Sequence, residues 1–119
     1  MRDELLRRYA DLVVEVGANV QPGQIVSVQA DIEAAPFARL IAASAYRHGA
    51  RFVDPNYVDT YIKRARLEYA AEDTLDYIPP WYGARLLAQG EHHAARISIV
   101  PTPSPLSIII ARRAARAAL

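Results

Sequence analysis

The chain has 119 residues, 52% apolar and 23% charged, with 14 Lys and Arg against 13 Asp and Glu for a formal charge of +1. This is the composition of one globular domain with one core. It offers no basic stripe with interleaved aromatics for nucleic acid, and no cysteine for a disulfide framework or thiolate metal site. The opening residues MRDELLRRYADL mix charge with apolar side chains, unlike a signal peptide, and no apolar run reaches the ~18 residues of a membrane span. A cytoplasmic protein with no membrane or nucleic-acid partner is expected.

Leu5, Tyr9, Leu12 and Val16, with Leu6 and Val13 beside them, form one apolar stripe that predicts a helix over residues 3–17. Asp3 and Glu4 suit the positive end of its dipole, and Gly17 is placed as a left-handed stop. Gln21-Pro22-Gly23-Gln24 fits a type II turn, since proline presets φ at the second position and glycine tolerates φ > 0 at the third. IVSV (25–28) is the first strand. Asp31 to Pro36 opens a second helix, with Phe37, Leu40, Ile41, Ser44, Ala45 and His48 on one face and Gly49 as its end. RFV (51–53) is a second strand, and Pro55 marks a sheet edge or strand end. Asp59 caps a third helix through Tyr69, with Val58, Ile62, Ala65 and Tyr69 inward and an Arg64–Glu68 pair outward.

A helical turn around Asp73 to Tyr77 stops at Pro79-Pro80, and Trp81 to Ala94 reads as a further helix. ISIV (97–100) is the third strand, and PTPSP (101–105) breaks regular structure. In residues 106–119, LSIIIARRAARAAL, the start favours a strand and the end a helix. The order α-β-α-β-α-α-β predicts an α/β domain: a small, mainly parallel sheet of about three strands covered by helices. It divides into a domain over 1–105 and a divergent tail over 106–119. Leu106, Ile108, Ile109 and Ile110 form an apolar cluster. It either pairs as an added edge strand with a second copy or folds back to complete the chain's own sheet.

The candidate chemistry is sparse. His92 and His93 are adjacent on a helix, so their side chains point about 100° apart and chelate one ion poorly; no H-E-x-x-H accompanies them. They read as an exposed helix end, and His48 as a last-turn partner of the helix dipole. Asp31 and Asp54 follow the first two strands, where open parallel sheets bind ligands, so they are candidates for cation binding or acid–base work. The simpler reading makes Asp31 a helix cap and puts Asp54 in a pre-proline turn. A phospho-receiver site would want an acidic pair and a lysine after a later strand, and Lys63, the one lysine, lies within a helix. No glycine follows IVSV, which excludes dinucleotide and phosphate loops. Ser27, Ser44 and Ser98 lie inside regular elements rather than at a nucleophile elbow. The basic ARRAAR run reads as a solvated face. Trp81, Tyr82, Tyr57, Tyr61 and Tyr69 are core candidates or, on an uncovered face, interface candidates. No catalytic, cofactor-binding or metal-binding residue is assigned.

The stretch YADLVVEVGANVQPGQIVSVQADIEAAPFARLIAASAYRHGARFV (9–53) resembles the amino-terminal region of the thermophilic metal-dependent aminopeptidases, the aminopeptidase T and aminopeptidase S family. The V-G-x-N-V-Q-P-G-Q helix end, the V-S-V strand, the E-A-A-P helix start and A-Y-R-x-G-A carry the likeness. So do Y-V-D (57–59), R-A-R-L-E-Y-A (64–70) and the P-x-W-x-x-G-like helix start before I-S-I-V. The resemblance implies an α/β domain from a parent enzyme that removes amino-terminal residues from peptides. Two divalent ions of the zinc, cobalt or magnesium type would be held by carboxylates and histidines in a later part of a longer chain. None of those ligands carries over to a residue here. The likeness is expected to fade after Val100, as in a truncated relative, a gene fragment or an isolated domain. The implied role is a scaffold and dimerisation domain, inactive alone, whose partner is a second copy or the carboxy-terminal catalytic domain. The alternatives are a stand-alone interaction module and a non-functional gene fragment. The Pro22-Gly23 turn is read as a scaffold device.

Overall fold

A computed structural model describes residues 2–100 and 108–113. Helix α1 spans Arg2–Leu12 and continues as a π-helical turn over Val13–Gly17. Strand β1 (Ile25–Asp31) leads through a 3₁₀ turn into α2 (Ala35–Arg47), then β2 (Phe52–Val58). Helices α3 (Thr60–Tyr69) and α4 (Pro80–Glu91) precede β3 (Ala95–Val100) and β4 (Ile108–Arg112). The class is α/β as predicted. The sheet has the order β2-β1-β3-β4, with β1 parallel to both β2 and β3 and with β4 antiparallel to β3. The expected three strands become four because Ile108–Arg112 returns alongside β3, Val100 opposite Ile108.

The core lies on one face of this sheet. Val26, Val28 and Ala30 of β1 align with Val53 of β2 and with Ala95, Ile97 and Ile99 of β3, all buried. Against them pack Ala38, Ile41 and Ala45 of α2, and Ala10, Val13 and Val14 at the end of the first helix. The predicted stripe of that helix does not face this core. Leu5, Tyr9, Leu12 and Val16 are exposed, Leu5 at 65%. The small Ala10 lets α1 approach α2, and Tyr9 instead meets Phe37, with ring centroids 5.6 Å apart.

The helix does not stop at a left-handed Gly17 either. The left-handed residue is Asn19 (φ 49°), the type that best tolerates this conformation after glycine. The Ala18 amide donates to the Val13 carbonyl at 2.8 Å and the Val20 amide to Val14 at 3.0 Å, closing the turn. Gly17 is small for another reason: a Cβ there would lie 3.0 Å from Cβ of Ala111 in β4. The next turn is as predicted. Gly23 has φ 79° and the Gln24 amide donates to the Gln21 carbonyl. The Gly23 amide also reaches the Gly49 carbonyl at 2.7 Å, which ties this turn to the corner between α2 and β2. Gly49, at φ 90°, ends α2 as expected.

Pro55 lies on β2, an edge strand, as its missing N–H requires. Asp59 caps α3 by accepting the Tyr61 amide, and Arg64 pairs with Glu68 at 3.0 Å. The inward face expected for α3 is absent: neither α3 nor α4 contains a buried residue, and Ile62 and Tyr69 are exposed. Helix α4 begins at Pro80 and ends at Glu91 rather than Ala94, because His93 turns left-handed (φ 51°). No helix among the described residues is long and apolar enough to cross a membrane.

Candidate functional site

The second face of the sheet is polar. Ser27 of β1 stands opposite Asp54 of β2 and Arg96 of β3, and one step on Gln29 stands opposite Asn56 and Ser98. Parallel sheets usually carry apolar side chains on both faces, so these two rows are the chain's main departure from a plain scaffold. Helix α4 lies over the first row. Arg85 and Gln89 are four residues apart and share a helix face. The Arg85 guanidinium donates to Asp54 Oδ2 from Nε (3.2 Å) and Nη2 (2.9 Å), and to the Pro55 carbonyl. The Gln89 amide donates to Ser27 Oγ at 3.2 Å and to Asp54 Oδ2 at 3.3 Å. Asp54 is therefore an anchor within β2, not part of a pre-proline turn. The β-ladder runs straight through Pro55 because the side that lacks an N–H faces the open edge.

Gln29 and Ser98 of the second row border an open cleft of about 190 Å³ at the carboxyl ends of β1, β2 and β3, lined also by Asp31, Thr60 and Lys63 and by apolar residues such as Val58 and Val100. This is where open α/β sheets place ligands, beside the point where strand order reverses. The structure thus brings Asp31 and Lys63 to one cleft, while Asp54 is drawn away under α4. Asp31 is in part committed, since its Oδ1 accepts the Glu33 amide at 3.0 Å, the cap predicted for it.

On the core side, α1 and α2 share a polar network. Ser44, fully buried, donates to Asp11 Oδ1 at 2.5 Å, and Arg47 donates to the same oxygen at 3.0 Å. The Ser44 hydroxyl bond, helped by Arg47, holds the Asp11 carboxyl below its ordinary range. His48 Nδ1 meets the Ser44 carbonyl at 2.7 Å and Nε2 meets Glu15 Oε1 at 2.7 Å. Both acceptors favour the imidazolium, the backbone carbonyl most, so the imidazole is pushed up. A serine, a histidine and two acids thus lie close together, yet they do not form a nucleophilic triad. The hydroxyl is spent on Asp11 directly, and His48 touches only the serine's backbone. Sequence reasoning overlooked this network. Its signal was present in the i, i+4 pair Asp11 and Glu15 facing Ser44, Arg47 and His48 at helical spacing.

His92 caps the end of α4, and the His93 carbonyl accepts the Gln24 amide at 2.9 Å. Among the described residues no group of three or more His, Asp or Glu is placed to hold a metal ion. The pair of ions that the resemblance implies finds no ligand set among those residues. Tyr57, Tyr61, Tyr69, Trp81 and Tyr82 are all exposed; they line the outer surface rather than the core.

Comparison with known proteins gives the family of the chain. The model of the thermophilic metalloprotease (M29) family matches residues 2–118, a span that includes β4. Aminopeptidase 2 of Geobacillus stearothermophilus is 36% identical over 113 residues, covering 94% of this chain and 27% of that protein. Aminopeptidase T of Thermus thermophilus is 38% identical over 94 residues, 79% of this chain and 23% of its own. The solved structure of wild-type AmpT from Thermus thermophilus superposes with a TM-score of 0.81 at 35% identity, over 86% of this chain and 26% of that one. The chain spans about a quarter of the length of the relatives it matches. It belongs to the thermophilic metalloprotease (M29) family and corresponds to that family's amino-terminal region.

Proposed function

We propose that the chain is the amino-terminal scaffold of a cytoplasmic metal-dependent aminopeptidase-like protein, and that it has no peptidase activity by itself. The observation that carries this reading is the pair of outward apolar surfaces in a domain of this family. Leu5, Leu12 and Val16 on one side, and Leu67, Trp81 and Leu87 on the other, are all more than half exposed. Contiguous exposed apolar surface marks a contact with another body of protein. In this reading the α1 stripe and the α3–α4 layer support a catalytic body or a second copy of the chain. Hydrolysis by metal-activated water, with zinc, cobalt or magnesium, belongs to that body.

The test is a graft. The matching region of aminopeptidase T from Thermus thermophilus is replaced by this chain, and hydrolysis of an amino-acid anilide is measured. The expected result is a folded, active chimera beside an inactive isolated chain. Hydrolysis by the isolated chain, or a folded chimera that binds metal and does not turn over, overturns the reading.

A further inference from the structure

We infer that α3 and α4 form a hinged layer, fastened to the sheet by one polar latch, which opens as a unit while the sheet and its α1–α2 cover stay folded. Regions held by few buried apolar contacts open at low free-energy cost. No residue of α3 or α4 is buried, so apolar burial gives this layer little of its hold. Within the layer the structure is braced. The Arg66 guanidinium donates to three carbonyls, of Thr74, Leu75 and Tyr77, at 2.9 to 3.2 Å. That clamp fixes residues 74–77 of the α3–α4 connection to α3, so the connection moves with that helix.

Among the described residues, the side-chain hydrogen bonds between layer and sheet run from Arg85 and Gln89 to Asp54, Ser27 and the Pro55 carbonyl. The layer joins the sheet at two tight points. At one end Asp59 is extended (φ −108°, ψ 111°) between β2 and α3. At the other, left-handed His93 lies between α4 and β3, its carbonyl held by Gln24. Both joints are short, Asp59 alone at one and residues 92–94 at the other, and both lie at element ends, the form that hinges take. The Asp54–Arg85 pair is partly exposed, at 32% and 40%, so salt screens it and added salt loosens the latch. This inference rests on the packing of the chain itself and stands independently of the scaffold reading.

Native-state hydrogen exchange on the full chain tests it. Amides of residues 60–91 are expected to exchange together, well before those of β1 and β3, and faster as salt is added. Asp54→Asn and, separately, Arg85→Gln should each speed exchange across 60–91 by about tenfold, the loss of one charge-assisted contact of ~1.4 kcal/mol, and leave β1, β3 and α2 unchanged. Arg85→Gln alters only the helix side, which separates latch loss from damage to β2. Exchange that accelerates equally in the sheet and in the layer, or that does not change in α4 with Arg85→Gln, overturns the inference.

Discussion

Replacing Gly17 by alanine separates two accounts of the same glycine by the sign of the effect. Gly17 is not among the residues with positive φ, so backbone strain does not require it. By propensity alone, alanine in a helical turn is favoured over glycine by ~1 kcal/mol. The structure opposes this gain. The new Cβ would come within 3.0 Å of Ala111 Cβ, about 0.5 Å or more inside an ordinary carbon–carbon contact, and overpacking of this kind costs ~1–3 kcal/mol. The expected net effect of Gly17→Ala is destabilisation by ~1 kcal/mol, read from urea denaturation followed by circular dichroism. Ala111→Gly should itself cost ~0.5–1 kcal/mol in a strand. The double variant should be more stable than the two single effects predict when added, by ~1 kcal/mol, because the second change makes room for the first. A stabilising Gly17→Ala, or a double variant that is merely additive, would refute the packing of β4 against the π turn.

Other measurements address the turn, the helix–helix network and metal binding. Gly23→Val places a β-branched side chain at φ 79° and should cost ~1 kcal/mol or more, with Gly23→Asn costing less; equal stabilities in urea would exclude the type II turn. His48 has a raised folded-state pKa through the Ser44 carbonyl and Glu15. Its contribution to stability is thus complete below the free imidazole value of ~6.5 and is lost as pH rises through the folded value; Glu15→Gln should flatten stability against pH in that window, and an unchanged slope would count against the contact. Asp11 has a lowered pKa through the Ser44 hydroxyl and Arg47, so its contribution is present above the free carboxyl value and lost as pH falls through the folded one. Ser44→Ala should shrink that acid-side loss. Calorimetric titration with zinc or cobalt is expected to find no stoichiometric site of micromolar affinity. Such a site, abolished by His92→Ala with His93→Ala, would make that pair ligands after all.

The legible parts of this chain were those set by local backbone chemistry. Pro22-Gly23, Gly49 and the caps Asp31 and Asp59 act within a few residues, so each is read from its neighbours and each occurs where expected. The parallel pairing of β1 with β2 and β3 also followed, because helices between short apolar runs leave little choice but parallel pairing. What failed was the direction of helix faces. Apolar periodicity identifies a stripe but not what the stripe meets. In α1 the stripe of Leu5, Tyr9, Leu12 and Val16 stays exposed, with Tyr9 on the rim against Phe37 of α2, and the buried position against the core is taken by Ala10, a residue too small to weigh in the pattern. The inward stripe assigned to α3 failed for the same reason. Asp54 was misplaced because a proline beside a charged residue suggests a turn, and only the finished sheet shows that β2 is an edge on which Pro55 is harmless.

The polar second face of the sheet ties these failures together. A two-faced apolar sheet would draw α3 and α4 down by burial, and their own apolar side chains would be consumed in the process. Here Ser27, Gln29, Asp54, Asn56 and Ser98 occupy that face in register; Ser27 is buried and Asp54 half-buried, and polar groups withdrawn from water demand partners. Arg85 and Gln89 provide them for Asp54 and Ser27 from α4. Because a hydrogen-bonded contact fixes α4 with two polar side chains, Trp81, Tyr82, Leu86 and Leu87 on the same helix are left to face outward. Substituting leucine for Asp54 and Arg85 together should reverse the trade. Two apolar groups would remove the polar demand at that point, and replacing both partners of such a pair is often neutral or stabilising. The layer would then be held by packing rather than by charge. Hydrogen exchange in α4 of the double-leucine variant should become insensitive to salt while global stability stays within ~1 kcal/mol of the parent. Salt-sensitive exchange that persisted in that variant would place the hold of α4 somewhere other than Asp54 and Arg85.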